Sequence, residues 1–183
     1  MKKFFFTLFF LTSISSFSQS LDCNCSIGFK AGVNYASITD ISELSYKPGF
    51  LIGIFAGVKF NDNLGIQGDL IYSQQGADSD DEKIDLNYLN FPVVLEYYII
   101  RGLNIHAGPQ FGMTLDDNVK DLYKQNEKAE AELFEFSGVV GIGYDLSTKF
   151  KLEARYNFGL TDIAVDDVGK NTFISFSLGY SFL

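Results

Sequence analysis

Few side chains in this sequence could carry acid–base or covalent chemistry. His106 is the only histidine among the 183 residues, so any mechanism that pairs a serine or cysteine nucleophile with a histidine base must use it. A single histidine also excludes a metal site built from several histidines. His106 lies four residues past a tight-turn sequence that ends at Gly102. We expect a structural histidine with a hydrogen-bond partner, no catalytic residue and no resident metal.

The two cysteines, Cys23 and Cys25, have one residue between them. Two thiols without a nearby histidine are a weak metal site. A disulfide between them would close a strained ring. Lipidation of Cys23 is rejected, because it needs small residues before the cysteine and an apolar residue at position 20, whereas Asp22 and Ser20 stand there. We expect either thiols or a terminal bridge, without a functional role.

A third set of chemically competent residues consists of charges that alternate with bulky apolar residues. The cations are Lys30, Lys59, Lys151 and Arg155, and the carboxylates are Asp69, Glu96, Glu135, Asp145 and Glu153. Their near balance predicts pairing, because isolated charges in a narrow interior are costly. We expect a charge network of Arg155, Glu153, Glu96, Asp69 and Lys30 with Arg155 as its hub. It would serve either as a gate or as a structural plug, and a plug is favoured.

Acidic residues also gather in three segments between the periodic stretches. They are Asp78, Asp80, Asp81 and Glu82, then Asp116 and Asp117, then Asp162, Asp166 and Asp167. Such residues can bind calcium or bridge lipopolysaccharide through divalent ions. None has the ordered spacing of an EF-hand, and a solvated rim is the simpler interpretation. The formal charge of −9 excludes nucleic acid as a partner.

The elements that position these residues are strands, since apolar and polar or glycine residues alternate with period two. In the last segment Ile174, Phe176, Leu178, Tyr180 and Phe182 face one way, against serines and Gly179. Eight strands are predicted, each long enough to cross a bilayer at a tilt. They are 26–37, 49–60, 64–74, 88–99, 103–114, 134–144, 150–160 and 172–182.

The connections between these strands alternate between short and long. Three are tight-turn sequences, and four are longer: 38–47, 75–87, 115–133 and 161–171. This pattern predicts an all-β fold: an eight-stranded antiparallel transmembrane β-barrel with short periplasmic turns and longer extracellular loops. Near-helical spacing of apolar residues within 118–133 suggests a short helix in the third loop. Pro92 and Pro109 fall inside strands, where each is expected to need a local bulge.

The N-terminus reads as an export signal. Lys2 and Lys3 precede the apolar run 4–11, and Ser16 and Ser18 suit cleavage before Gln19. We therefore expect a signal peptide at 1–18, a short N-terminal periplasmic segment at 19–25 and an outer-membrane β-barrel domain at 26–183. Loss of the two lysines would change the formal charge from −9 to −11.

Four stretches resemble the PorT-like outer-membrane β-barrel family. They are GDLIYSQQG (68–76), NYLNFPVVLEYY (87–98), AGPQFG (107–112) and ARYNFGLTDI (154–163). The resemblance implies an outer-membrane barrel, usually of unassigned role, with some members linked to protein secretion across that membrane. It brings no catalytic residues. Barrels of this kind typically end on an aromatic residue that the assembly machinery reads, whereas this chain ends Phe182-Leu183, which leaves Phe182 for that role.

Three functions follow from these observations. We expect a small non-enzymatic outer-membrane β-barrel with a structural, adhesion or envelope/secretion-assembly role, without a cofactor. Its partners would be outer-membrane lipid and lipopolysaccharide, the barrel assembly machinery and an envelope protein. One alternative is a lipid-modifying barrel enzyme, which needs a nucleophile and base near the outer rim, far from His106. The other is a secreted ligand-binding barrel of lipocalin type, which would place its apolar residues inside.

Overall fold

A computed structural model describes residues 24–38, 45–78, 83–115, 134–160 and 171–182. These residues form eight strands. They are β1 Asn24–Ile38, β2 Ser45–Lys59, β3 Leu64–Asp78, β4 Lys83–Ile100, β5 Leu103–Thr114, β6 Phe134–Asp145, β7 Phe150–Gly159 and β8 Asn171–Ser181. Within these residues no helix is long and apolar enough to cross a membrane. The predicted signal peptide and the predicted helix in 118–133 lie outside the described residues.

The eight strands form one closed antiparallel barrel in chain order. The sheet closes where β1 pairs with β8, from Gly28 opposite Ser181 to Ile38 opposite Asn171. Closure gives both edge strands a partner, as hydrocarbon requires. The predicted all-β fold with eight antiparallel strands is confirmed.

The two faces of the sheet differ in polarity in the way a lipid environment demands. Outward positions carry large apolar side chains that are about half exposed, such as Ile54 at 57% and Phe176 at 50%. Inward positions are polar and buried, such as Asn34 and Asn104, which are fully buried. A lipocalin-type barrel would have the opposite arrangement, so the secreted ligand-binding alternative is wrong.

Glycines on the inward face make room for large side chains from neighbouring strands. Phe55 of β2 points inward and is 4% exposed. A Cβ added at Gly28 would overlap the Phe55 ring, and one at Gly179 would lie 3.2 Å from it. The inward glycines thus let an aromatic ring fill a barrel too narrow for open space.

The two prolines are accommodated without the bulges that were expected. Between β4 and β5 the register is the same at Pro92–Gln110 and at Leu95–Ala107, with two pairs missing between them. The ladder is therefore interrupted but not shifted. A Cβ at Gly108 would overlap the Val93 carbonyl oxygen, so glycine allows β5 to approach β4 at this interruption.

The connections at one end of the barrel are short, as predicted. They comprise residues 60–63, 101–102 and 146–149, and Gly102 adopts a positive φ of 88° in the two-residue turn. At the other end two connections are shorter than predicted. β1 and β2 leave only 39–44 between them, and the predicted loop 75–87 is mostly strand, because β3 and β4 pair as far as Asp78 and Lys83.

The N-terminal boundary of the barrel also differs slightly from the prediction. β1 begins at Asn24, two residues before the predicted strand, and therefore includes Cys25. Cys25 is disulfide-bonded and is therefore not a free thiol.

The outward face of β2 gives a direct test of the lipid assignment. Ile54→Arg places a cation near the middle of the apolar face, and we expect it to lower the free energy of unfolding by about 2–4 kcal/mol. Asp62→Arg, in the exposed turn at the rim, should change it by only about 0–1 kcal/mol. Urea titration of the protein in lipid vesicles measures both. Equal effects would mean that this face does not contact hydrocarbon.

Candidate functional site

Eight of the nine charged residues named from the sequence, all but Glu135, gather in the lumen as a single connected set. Strand parity turns Lys30 of β1, Asp69 of β3, and Glu153 and Arg155 of β7 toward one another, and we call these four the central cluster. Lys59, Glu96, Asp145 and Lys151 lie toward the short turns, and we call these four the rim cluster. Together they hold four cations and four carboxylates.

The central cluster is almost completely buried. The Arg155 guanidinium donates to Asp69 through Nη1 and to Glu153 Oε1 through Nη2, the latter at 2.9 Å. The Lys30 ammonium lies 3.0 Å from Asp69 Oδ2 and also contacts Glu153 Oε2. The four side chains are at most 5% exposed. Each cation bridges the same two carboxylates, so the cluster is a closed ring of ion pairs.

The rim cluster is more open to water. Lys151 Nζ lies 2.8 Å from Glu96 Oε1, and Lys59 Nζ lies 2.9 Å from Asp145 Oδ2. The Lys59 side chain is 35% exposed. Its ammonium also lies 3.9 Å from the centre of the Tyr98 ring, a cation–π contact. This end of the network is thus a half-solvated extension of the buried centre.

Gln67 joins the two clusters. Its amide nitrogen donates to Asp69 Oδ1 at 3.0 Å and to Glu153 Oε1 at 3.1 Å, and its amide oxygen accepts from Lys151 at 2.9 Å. The sequence pattern placed Gln67 on the inward face but did not identify it as part of the network. Its position two residues before Asp69, on the same face, was the signal available.

The structure brings together four of the five residues named from the sequence. Arg155 contacts Asp69 and Glu153, and Lys30 contacts the same pair, whereas Glu96 contacts Lys151 instead of Arg155. Glu96 pairs with Gly65, four residues from Asp69 toward the short turns, because neighbouring strands are staggered.

Burial explains why the charges must be paired so completely. Removing an ion from water costs several kcal/mol, and only close partners and further hydrogen bonds offset that cost. The guanidinium of Arg155 makes one charge-assisted hydrogen bond to each of two carboxylates, and such bonds are stronger than those between neutral groups. The four cations and four carboxylates also cancel in formal charge, so these eight groups add no net charge to the lumen.

His106 has the surroundings of a buried structural residue. It is 3% exposed, and its Nδ1 lies 3.0 Å from Asn104 Oδ1, while Nε2 has no hydrogen-bond partner. In the described part of the chain its hydrogen-bonding neighbour is thus an amide, not a hydroxyl or thiol nucleophile. Among the described residues, Glu96, His106 and Glu153 lie close enough together for each to offer one ligand atom to a metal ion.

Beneath the network, a cavity of about 280 Å³ opens among the short turns. Glu96, Tyr98, Asp145 and Lys151 line its inner wall, and the turn 147–149 lines its mouth. The cavity reaches the rim cluster and gives water access to it. It therefore forms a vestibule that ends at the charged network.

Removal of Arg155 tests whether the central cluster supports the fold. Arg155→Ala leaves Asp69 and Glu153 with Lys30 alone, and we expect it to lower the free energy of unfolding by about 3–5 kcal/mol. Lys59→Ala removes a half-exposed pair and should cost about 0–1 kcal/mol. Denaturant titrations of the two variants measure these changes in the free energy of unfolding. Similar losses would show that burial does not set the strength of these pairs.

Comparisons with known proteins agree with this architecture. Ail, the attachment invasion locus protein of Yersinia pestis, is 14% identical, with a TM-score of 0.52 over 88% of this chain and 100% of Ail. Neisserial surface protein A is 12% identical, with a TM-score of 0.54 over 86% of this chain and 97% of its own. A de novo designed transmembrane β-barrel is 12% identical, with a TM-score of 0.50 over 89% and 99%.

At these identities the likeness concerns the fold alone. No curated protein matches the sequence. Residues 17–165, most of the chain, match the family described as outer membrane protein beta-barrel domain. With the polar lumen and apolar exterior described above, the chain is a small outer-membrane β-barrel and belongs to that family.

Proposed function

We propose that this barrel is a non-enzymatic, non-conducting scaffold that acts at its rims, in adhesion or in a structural role in the outer membrane. The observation that carries the proposal is the ring of buried ion pairs that fills the centre of the lumen. Function inside the lumen would need either a solute path or a reactive group. The buried ring of ion pairs occupies the space that a solute path would need. The hydrogen-bond partner of His106 is the Asn104 amide, which is not a nucleophile.

The lumen of an eight-stranded barrel is just wide enough for its own side chains. Arg155 and Lys30 reach Asp69 from different strands, so they span the interior at its centre. Phe55 adds an aromatic ring beside Lys30, with the ammonium 5.4 Å from the ring centre. The structural interpretation of the network is thus favoured over a gate.

The proposed orientation places the short turns in the periplasm and the other connections outside the cell. It follows the usual arrangement of outer-membrane barrels. A signal peptide at 1–18 would direct export of the chain, and the barrel assembly machinery would insert the barrel into the membrane. Outer-membrane lipid is then the partner of the apolar face, and lipopolysaccharide surrounds the outer rim.

The outer connections are the proposed functional surface. Their acidic residues determine which kind of partner they can bind. Ail, whose name refers to attachment, has been crystallised with the heparin analogue sucrose octasulfate. The acidic connections of this chain repel such a polyanion, for example through Asp80, Asp81 and Glu82. They favour cationic surfaces, or lipopolysaccharide bridged by divalent ions.

A second candidate is a role in envelope or secretion assembly. It rests on the resemblance of stretches such as 87–98 to PorT-like barrels. An envelope protein would then be the partner, and the vestibule among the short turns is the natural place for a periplasmic contact.

Electrical recording tests the filled lumen. Purified protein in a planar bilayer should produce no stable conductance steps, because the central cluster leaves no continuous path for ions. A porin inserted under the same conditions is the control. Reproducible channels from this protein would contradict the proposal.

Exchange of an outer connection tests where function resides. Replacing 116–133 with a short Gly/Ser linker should leave a barrel that migrates faster on gels when unboiled but should abolish attachment of cells to surfaces. A cysteine at Gln125 in the full-length chain, labelled on intact cells by an impermeant reagent, checks surface display. If the shortened barrel supports normal attachment and envelope integrity, the connection 116–133 is not the functional surface.

A further inference from the structure

Three potential metal ligands meet inside the barrel at the junction of the two clusters. Glu96 lies on β4, His106 on β5 and Glu153 on β7, and each offers one ligand atom within 4.8 Å of the others. All three residues are at most 4% exposed. Glu96 and His106 are cross-strand partners, so the sheet itself fixes their separation.

The hydrogen bond of His106 prepares one of its nitrogens for a ligand. Nδ1 faces the Asn104 side-chain oxygen at 3.0 Å, and because that oxygen can only accept, Nδ1 carries the proton. Nε2 then has a free lone pair, and it is buried without a hydrogen-bond partner. Histidines that bind metals typically donate their other N–H to an oxygen in this way.

The donor set selects the class of ion. One imidazole and two carboxylates suit Zn²⁺ and neighbouring divalent transition metals, whereas Ca²⁺ and Mg²⁺ prefer oxygen ligands alone. Three protein ligands leave a coordination position for water. Cys25 is disulfide-bonded and does not compete for the ion.

Neighbouring cations already occupy the two carboxylates, and an ion must displace some of them. Each of those cations has a second carboxylate within reach. Lys30 and Arg155 both contact Asp69, and Lys151 lies 3.9 Å from Asp145 Oδ1, an atom without a hydrogen-bond partner. The network can thus release Glu96 and Glu153 without leaving a cation unpaired.

The vestibule gives the ion a route to the first of these ligands, Glu96. Glu96 and Lys151 both line the cavity that opens among the short turns. Movement of Lys151 from Glu96 toward Asp145 would clear the inner wall of that cavity. An ion would therefore enter from the short-turn end and reach Glu96 first.

We propose that Glu96, His106 and Glu153 form a binding site for a divalent transition-metal ion, with Zn²⁺ as the probe. Binding exchanges the partner of Lys151 from Glu96 to Asp145. This site is independent of the role proposed for the rims.

The test uses protein purified without a polyhistidine tag and stripped of metal by a chelator. Zn²⁺ is titrated while calorimetry records stoichiometry and NMR records the imidazole signals of the single histidine. One ion should bind per chain, the His106 signals should shift, and the thermal midpoint should rise. Mg²⁺ should produce none of these changes.

Two variants of β5 locate the site. His106→Asn should weaken Zn²⁺ binding by about tenfold or more. Gln110→Asn, on the same inward face four residues away, should leave the affinity unchanged. Unshifted imidazole signals in excess Zn²⁺, or equal affinity of the His106→Asn variant and the parent, would overturn the proposal. The NMR result on the unaltered protein decides alone if the variant does not fold.

Discussion

Closure of the sheet between β1 and β8 is the constraint on which the rest of this structure depends. Hydrocarbon offers backbone amides no alternative partner, so the spanning sheet must end on itself. With eight strands, closure fixes a lumen only as wide as the side chains that fill it. The inward residues at the centre of the lumen are thereby removed from bulk water, and Lys30, Asp69, Glu153 and Arg155 must satisfy one another.

The buried charges in the lumen satisfy one another because each carboxylate of the central cluster contacts two cations. Asp69 serves both Lys30 and Arg155, Glu153 serves the same two cations, and Gln67 carries the pattern on to Lys151. A shared arrangement of this kind distributes the charge over many contacts and fixes the relative positions of β1, β3 and β7. Polar contacts thus do in this lumen what apolar packing does in a water-soluble domain.

Much of this architecture could be predicted from the sequence because a strand with two unlike faces leaves a period-two pattern. That pattern gave the strands, the inward parity of Arg155 and the short turn at Gly102. It could not give depth, because stagger between strands is a property of the closed barrel, and so Glu96 was matched with Arg155 instead of Lys151. The paired ends of β3 and β4 were also missed, since polar residues such as Asp78 and Lys83 resemble a loop when their cross-strand partners are unknown.

The long β3–β4 hairpin has a mechanical consequence. β4 has 18 residues, whereas crossing the hydrocarbon takes roughly 9–11. Most of the surplus lies beyond the membrane, paired as far as Asp78 and Lys83, and at about 3.3 Å per residue it raises the end of the hairpin by roughly 15 Å or more. A post of hydrogen-bonded strands resists bending. A molecule that binds the end of this hairpin would therefore transmit force directly to the barrel wall. Binding would also cost little conformational entropy, because the paired strands are already ordered.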